Sequence, residues 1–339
     1  MLLKRLCEAM GISGQESEVR AIIREELGGK VDEMRCDTLG NVIVRKGPAH
    51  GPRVMLAAHM DEVGFMISGI TKEGCLRFVK AGGTDDRVIL SKVVLVGQGR
   101  IPGVIGPRPH HLETDKERET PIKSDKLYID IGCKSREEAE SKVKLGDPVI
   151  FDTSFAEFGE GYVKGRALDD RIGCAVLVEI LKQDWSIPVW GVFTAQEEVG
   201  CRGATIAAYS IQPEMGIALE GTVSADVAGV EDEGLVTQPG NGPAIGIMDA
   251  GSIPNRHMLT QVVGLAKQHG VPFQFRGTTS GGNDAGPMQR SHSGAATVTM
   301  SVPCKNIHSP VAIASLSDFD NCVRLVGLFL KSVEGGFRA

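Results

Sequence analysis

No two of the eight cysteines (Cys7, Cys36, Cys75, Cys133, Cys174, Cys201, Cys304, Cys322) stand at C-x-x-C spacing. That excludes the usual structural zinc patterns and a dense disulfide scaffold, and several of these thiols sit in apolar stretches as small hydrophobes. A surplus of positive charge is also missing. The 37 basic residues are outnumbered by 43 acidic ones, for a formal charge of -6, so no broad cationic field draws in nucleic acid. Neither is there a long apolar run: "CAVLVEIL" is broken by Glu179 and falls well short of the ~20 residues that span a bilayer. The first 27 residues alternate apolar and polar at helical spacing, with charges among the first five, unlike the apolar core of a signal peptide. The expectation is a soluble cytoplasmic protein with no membrane and no nucleic-acid partner.

What is present is enough chain for a large core and for two domains: 339 residues, 42% of them hydrophobic, at the usual ~100 to 200 residues per domain. "EMRCDTLGNVIVRKG" reads as a hairpin, and "PRVMLAAHMDEVG" as a strand buried on both faces. From about residue 66 to 158 the texture becomes short β-rich pieces ("VVLVGQGRIPGVIG", "KLYIDIG", "GDPVIFDT") punctuated by Gly and Pro, which predicts a small β-barrel or sandwich. Within it "HHLETDKERETPIKSDK", carrying His110 and His111, reads as a solvated loop. Beyond about 165 helix and strand patterns alternate, ending in a helix over "SLSDFDNCVRLVGLFLKSV" that Ser315 or Ser317 can cap. The expected fold is α/β, with a mainly parallel central sheet flanked by helices. Its domain occupies residues 1–65 and 159–339, and a small β-barrel is inserted at 66–158.

Ligands in an open α/β sheet bind beyond the carboxyl ends of its strands, and there the polar residues collect. "VMLAAHMD" ends in His59 and Asp61, "GVFTAQEE" in Glu197 and Glu198, and "GIALEG" in Glu220; "VTMSVPCKNIHSP" leads to His308, while Asp169 and Asp170 stand where "GRALDDRIG" turns into a helix. Singly, each is an ordinary strand-end group or helix cap. Together, carboxylates that close repel, and divalent cations are the common remedy. Two ions about 3.5 to 4 Å apart, sharing one carboxylate, use the whole set. Nitrogen and oxygen ligands suit zinc, cobalt or manganese. Adjacent residues on a strand face opposite ways, so Glu197 and Glu198 serve one site only if the strand has already ended; one can then bind metal while the other acts as general base. Asp61 is placed to accept the other N–H of His59.

With these residues assembled, the sequence resembles the co-catalytic metallo-aminopeptidases of the tetrahedral-dodecamer type, the glutamyl and deblocking aminopeptidase family. "HMDEVGFMI", "ALDDRIG", "TAQEEVGCRGA", "GGNDAG" and "IHSP" occur in the family's order. The resemblance implies a zinc-exopeptidase-like domain with a PDZ-like inserted barrel, and assembly of dimers into a dodecamer. It implies His59, Asp169 and Glu220 around one metal, Asp169, Glu198 and His308 around the other, Glu197 as general base, Asp61 as the orienting acid and a cis peptide between Asp169 and Asp170. It also implies an aminopeptidase that releases N-terminal residues from short peptides. Two departures stand out: Glu220 occupies a position more usually Asp, and "PCKNIHSP" lacks the Arg-Tyr pair often found before the metal-binding His. Some similar sequences carry an endoglucanase label, so a glycoside hydrolase with paired acids is the alternative, and a catalytically inactive assembly protein a third reading.

Overall fold

The computed structural model describes residues 1–107, 120–231, 234 and 236–339; His110 and His111 lie outside them. The large sheet runs, in spatial order, Glu33–Cys36, Val42–Lys46, Val189–Thr194, Val54–His59, Met215–Ser224, Ala296–Lys305, Ala312–Ser315, Tyr162–Gly165, Ala156–Phe158. The four central strands, from Val189–Thr194 to Ala296–Lys305, pair in parallel, as do the short strands Ala244–Ile245 and Gln274–Phe275 off the main path. Antiparallel strands flank them on both sides, beginning with the expected hairpin, where Glu33 stands opposite Arg45.

The apolar run Val54–His59 is buried at all six positions, and its alternation shows why. Val54, Leu56 and Ala58 enter one hydrophobic cluster, built with the helices Leu168–Leu181 and Leu316–Glu334, while Met55 and Ala57 enter another with Arg202–Ile211 and Ala285–Gln289. A strand with helices on both faces has no polar side, hence its continuous apolar text. Helix Leu168–Leu181 is enclosed almost all round, as expected of a helix with apolar residues on every face. The last helix begins where anticipated, but Ser315, its N-cap, makes no side-chain cap bond to the backbone. The Ser315 hydroxyl pairs instead with that of Ser317, 2.8 Å away.

Six antiparallel strands close the barrel: Gly64–Ile70, Leu76–Ala81, Tyr128–Asp130, Ile101–Gly106, Val93–Val96 and Pro148–Phe151. Phe65 packs edge-on against Phe78 and Phe151, with ring centroids 4.9 and 5.4 Å apart, so the barrel has a core of its own. Barrel strands thus lie between Gly64 and Phe151, and Ala156–Phe158, inside the stretch read as the insert, pairs in the large sheet instead. A buried ion cluster joins the two parts: Glu62, at the entrance to the barrel, accepts from Arg166 Nε at 2.5 Å and Arg171 Nη2 at 3.1 Å. Those guanidinium groups also donate to the carbonyls of Phe151, Ala9 and Leu6, satisfying charges that would otherwise be costly to bury.

Candidate active site

Strand Val54–His59 pairs with Met215–Ser224 only as far as Ala57 and Ala218, whereas Met215–Ser224 stays paired with Ala296–Lys305 along all ten residues. One neighbour ends early, and a crevice opens beside the residues that follow. Glu220 therefore lies within a strand and not after its end, as its text suggested; the strand runs on to Ser224 because its other neighbour does. The crevice widens into a cavity of about 500 Å3 lined by His59, Asp169, Glu197, Glu198, Glu220 and His308, with Arg276 and Asn283 on another part of its wall.

Each histidine presents one ring nitrogen to this cavity because the other is held. His59 Nδ1 lies 3.0 Å from the Asp61 carbonyl oxygen and 3.5 Å from the Asp61 carboxylate; His308 Nδ1 lies 2.8 Å from the Gly83 carbonyl oxygen. A carbonyl only accepts, so both Nδ1 atoms carry a proton, and Nε2 is the nitrogen that supplies a lone pair once the imidazole is neutral. Asp169 stands between them, Oδ1 at 3.3 Å from His59 Nε2 and Oδ2 at 3.3 Å from His308 Nε2. Beyond it Glu220 Oε2 is 3.6 Å from His59 Nε2, and Glu198 Oε1 is 3.5 Å from His308 Nε2. Two triads result, His59–Asp169–Glu220 and Asp169–Glu198–His308, each with ligand-type atoms within 4.8 Å of one another. The other carboxylate oxygen of Glu220 is buried without a hydrogen-bond partner. A carboxylate oxygen without a partner, two imidazole Nε2 atoms turned to one cavity and a shared carboxylate fit a pair of divalent cations.

The two acids of "ALDDRIG" part company. Asp169 turns into the cavity, while Asp170 is sealed away, accepting from the amides of Gly173 at 3.0 Å and His59 at 3.1 Å. A Cβ on Gly173 would lie 2.3 Å from Asp170 Oδ1, so only glycine permits that approach. The peptide joining the two acids is cis. Glu197 and Glu198 can share the site because the strand before them stops at Thr194 and the chain bends through Gln196, at φ 59°. Both oxygens of Asp61 hold that bend, Oδ1 accepting from the Glu197 amide at 3.0 Å and Oδ2 from the Glu198 amide at 3.1 Å. Glu197 belongs to neither triad; Glu197 Oε2 stands 4.0 Å from His59 Nε2.

The electrostatics follow from crowding in a dry place. Burial pushes the Glu198 carboxyl up to about 8, partly offset by His308, and burial likewise raises Glu197 and Glu220 above the usual carboxylate range. Burial works against charging the histidines, but Asp169 and its neighbours prevail, raising His59 and lifting His308 to about 10. Burial also opposes ionising Asp169, yet the two imidazoles hold its carboxyl well below the ordinary value.

The model of the M42 glutamyl aminopeptidase family matches residues 40–325. The chain belongs to that family. Lysyl aminopeptidase of Pyrococcus furiosus is 34% identical over 343 residues, covering 98% of this chain and 97% of its own. The TET1 peptidase of Pyrococcus horikoshii, described as able to assemble into a tetrahedron or a large octahedral shell, is 36% identical with a TM-score of 0.86, covering 97% of this chain and 98% of its own. A Thermotoga maritima structure described as an endoglucanase is 33% identical with a TM-score of 0.81, covering 98% and 99%. In this M42 peptidase, sequence reasoning overlooked Gly83, whose backbone carbonyl orients His308 from the loop after strand Leu76–Ala81 of the barrel. No side-chain pattern could have revealed a main-chain acceptor. Asp284 was quoted within "GGNDAG" without a role; it is buried and accepts from the Thr194 hydroxyl at 2.6 Å.

Proposed function

We propose that this M42 peptidase is a dinuclear aminopeptidase that removes N-terminal residues from short peptides, with His59, Asp169 and Glu220 holding one divalent ion and Asp169, Glu198 and His308 the other. The observation that carries this is the sharing of Asp169 between two histidines, with Glu197 standing beside the pair and belonging to neither set. When bound, two such ions supply Lewis-acid polarisation of the scissile carbonyl and lower the pKa of water. Glu197 takes the proton of the attacking water and returns it to the leaving amine; its raised pKa, caused chiefly by burial, brings it nearer the operating pH and suits it to both transfers. Asp61 keeps His59 and the Glu197–Glu198 bend in register. Zinc, cobalt and manganese all suit the nitrogen and oxygen donors. The domain at residues 1–65 and 159–339 carries the catalysis, and the region 66–158 pairs subunits into dimers that build a dodecamer, as a relative described as a dodecamer suggests. A cytoplasmic setting accords with eight free thiols.

The direct test is metal analysis coupled to a panel of aminoacyl-anilides before and after chelation. Two divalent ions per chain are expected, with hydrolysis lost on chelation and restored by zinc, cobalt or manganese; chelator-resistant activity overturns the reading. A glycoside hydrolase needs only two carboxylates flanking the bond, and nothing in that chemistry uses paired imidazoles bridged by Asp169.

Binding should depend steeply on pH. Ion binding requires a neutral imidazole and an ionised carboxylate, but at pH 7 His308, near 10, and Glu198, near 8, both hold protons in the free cluster. Each ion-for-proton exchange makes affinity rise with pH, by up to about tenfold per unit and proton released, up to pH 8 for Glu198 and pH 10 for His308. Calorimetry at pH 7 in buffers of different ionisation enthalpy should register proton release; none released contradicts the exchange.

A further inference from the structure

Beyond the two triads, a third cluster shares no residue with either. The turn after Thr194 carries Gly200 at φ 116° and Cys201 at φ 50°, and the Cys201 amide donates back to the Glu197 carbonyl at 2.8 Å. The chain therefore folds the thiol over the glutamate, with Cys201 Sγ 3.2 Å from Glu197 Oε1. From the opposite side comes Asp284, fully buried. Its Oδ2 is taken by the Thr194 hydroxyl, while its Oδ1 is buried with no hydrogen-bond partner. One oxygen each of Glu197 and Asp284 and the sulfur of Cys201 lie within 4.8 Å of one another. Glu197 and Cys201 also line the 500 Å3 cavity, so an ion can reach them from solvent.

We propose that Cys201, Glu197 and Asp284 form a third cation site, for a thiophilic divalent ion such as zinc or cadmium, and that filling it silences hydrolysis by occupying the carboxylate used as base. The site stands on geometry alone; its inhibitory effect rests on the role of Glu197 argued above. Two carboxylates and a thiol crowded together, with one buried carboxylate oxygen left without a partner, make the situation a cation relieves. Sulfur sets its selectivity, favouring zinc and cadmium over manganese or magnesium. On binding, the thiol releases its proton to buffer and the sulfur donates an electron pair to the ion, with no change of oxidation state. The same cluster looks different without a cation: burial, with Glu197 adding, pushes the Asp284 carboxyl up to about 7.

The test titrates cadmium into protein already loaded with two manganese ions, following ultraviolet thiolate-to-cadmium absorption, bound metal and turnover together. In the wild type, one further equivalent should bind with the appearance of that absorption, and turnover should fall about a hundredfold, the lower part of what a positioned base contributes. Cys201→Ala, compared with its own cadmium-free turnover with two ions bound, should lack the absorption and resist the added cadmium. Absence of the band in the wild type, an equal band in Cys201→Ala, or equal inhibition of both overturns the proposal. Should no peptide or anilide be hydrolysed at all, the aminopeptidase reading fails while the Cys201-dependent band still decides whether the site exists.

Discussion

Glu197→Gln is expected to leave two ions bound and to lower kcat by about 10^2- to 10^4-fold, the range a positioned general base contributes. The expectation combines two facts. Glu197 is outside both triads, so removing its charge takes away no ligand, and it faces the cavity from the same bend as Glu198. The amide matches the carboxylate in shape and cannot accept a proton, so substrate affinity changes little while the rate collapses. Glu198→Gln, at the very next residue, should fail otherwise: it removes a member of the second triad and should release an ion. Metal content and kcat measured side by side distinguish the two variants. Near-normal turnover in Glu197→Gln would remove the base from the scheme, and loss of an ion from that variant would make Glu197 a ligand.

Asp169→Asn should be more damaging still, emptying both positions instead of one. Each Asp169 oxygen sits 3.3 Å from a different imidazole, so one substitution weakens both halves of the site. Ions at such a centre supply several kcal/mol of transition-state stabilisation, and at 1.36 kcal/mol per decade their loss costs about a thousandfold or more in rate. The fold should survive, because Asp169 lines the cavity and belongs to no hydrophobic cluster, and the amide keeps the shape of the carboxylate. Elemental analysis should fall from two ions to none, with an unchanged circular dichroism spectrum. His59→Ala, touching one triad only, should retain an ion. If Asp169→Asn keeps both, the shared-ligand arrangement is wrong.

Legibility differed by kind of residue. The strand at 54–59 could be read because both its faces are buried and no polar position interrupts it. The ends of strands could be read for function because open α/β sheets deliver ligands there: of the residues collected on that ground, His59, Asp169, Glu197, Glu198, Glu220 and His308 line one cavity, while Asp61 and Asp170 stand behind it. What escaped was set by partners far along the chain. Glu220 stands inside its strand because Ala296–Lys305 continues alongside, a pairing that the local text does not reveal. Asp61 was read as a carboxylate accepting from His59, yet its carbonyl oxygen is the nearer acceptor, and its carboxylate holds the amides of Glu197 and Glu198 together with the Ser13 hydroxyl.

Composition and the two-residue period of a strand suffice to say which side chains could carry chemistry and that the two glutamates must leave the strand before sharing a site. Which oxygen and which ring nitrogen face each other is set by the folded chain. It separated Asp169 from Asp170, turned Nε2 of both histidines toward the cavity by anchoring Nδ1 on carbonyls 2 and 225 residues away, and set Cys201 against Glu197 and Asp284. Those choices depend on distances of a few ångströms between segments remote in the chain, which residue order alone does not encode in any local pattern.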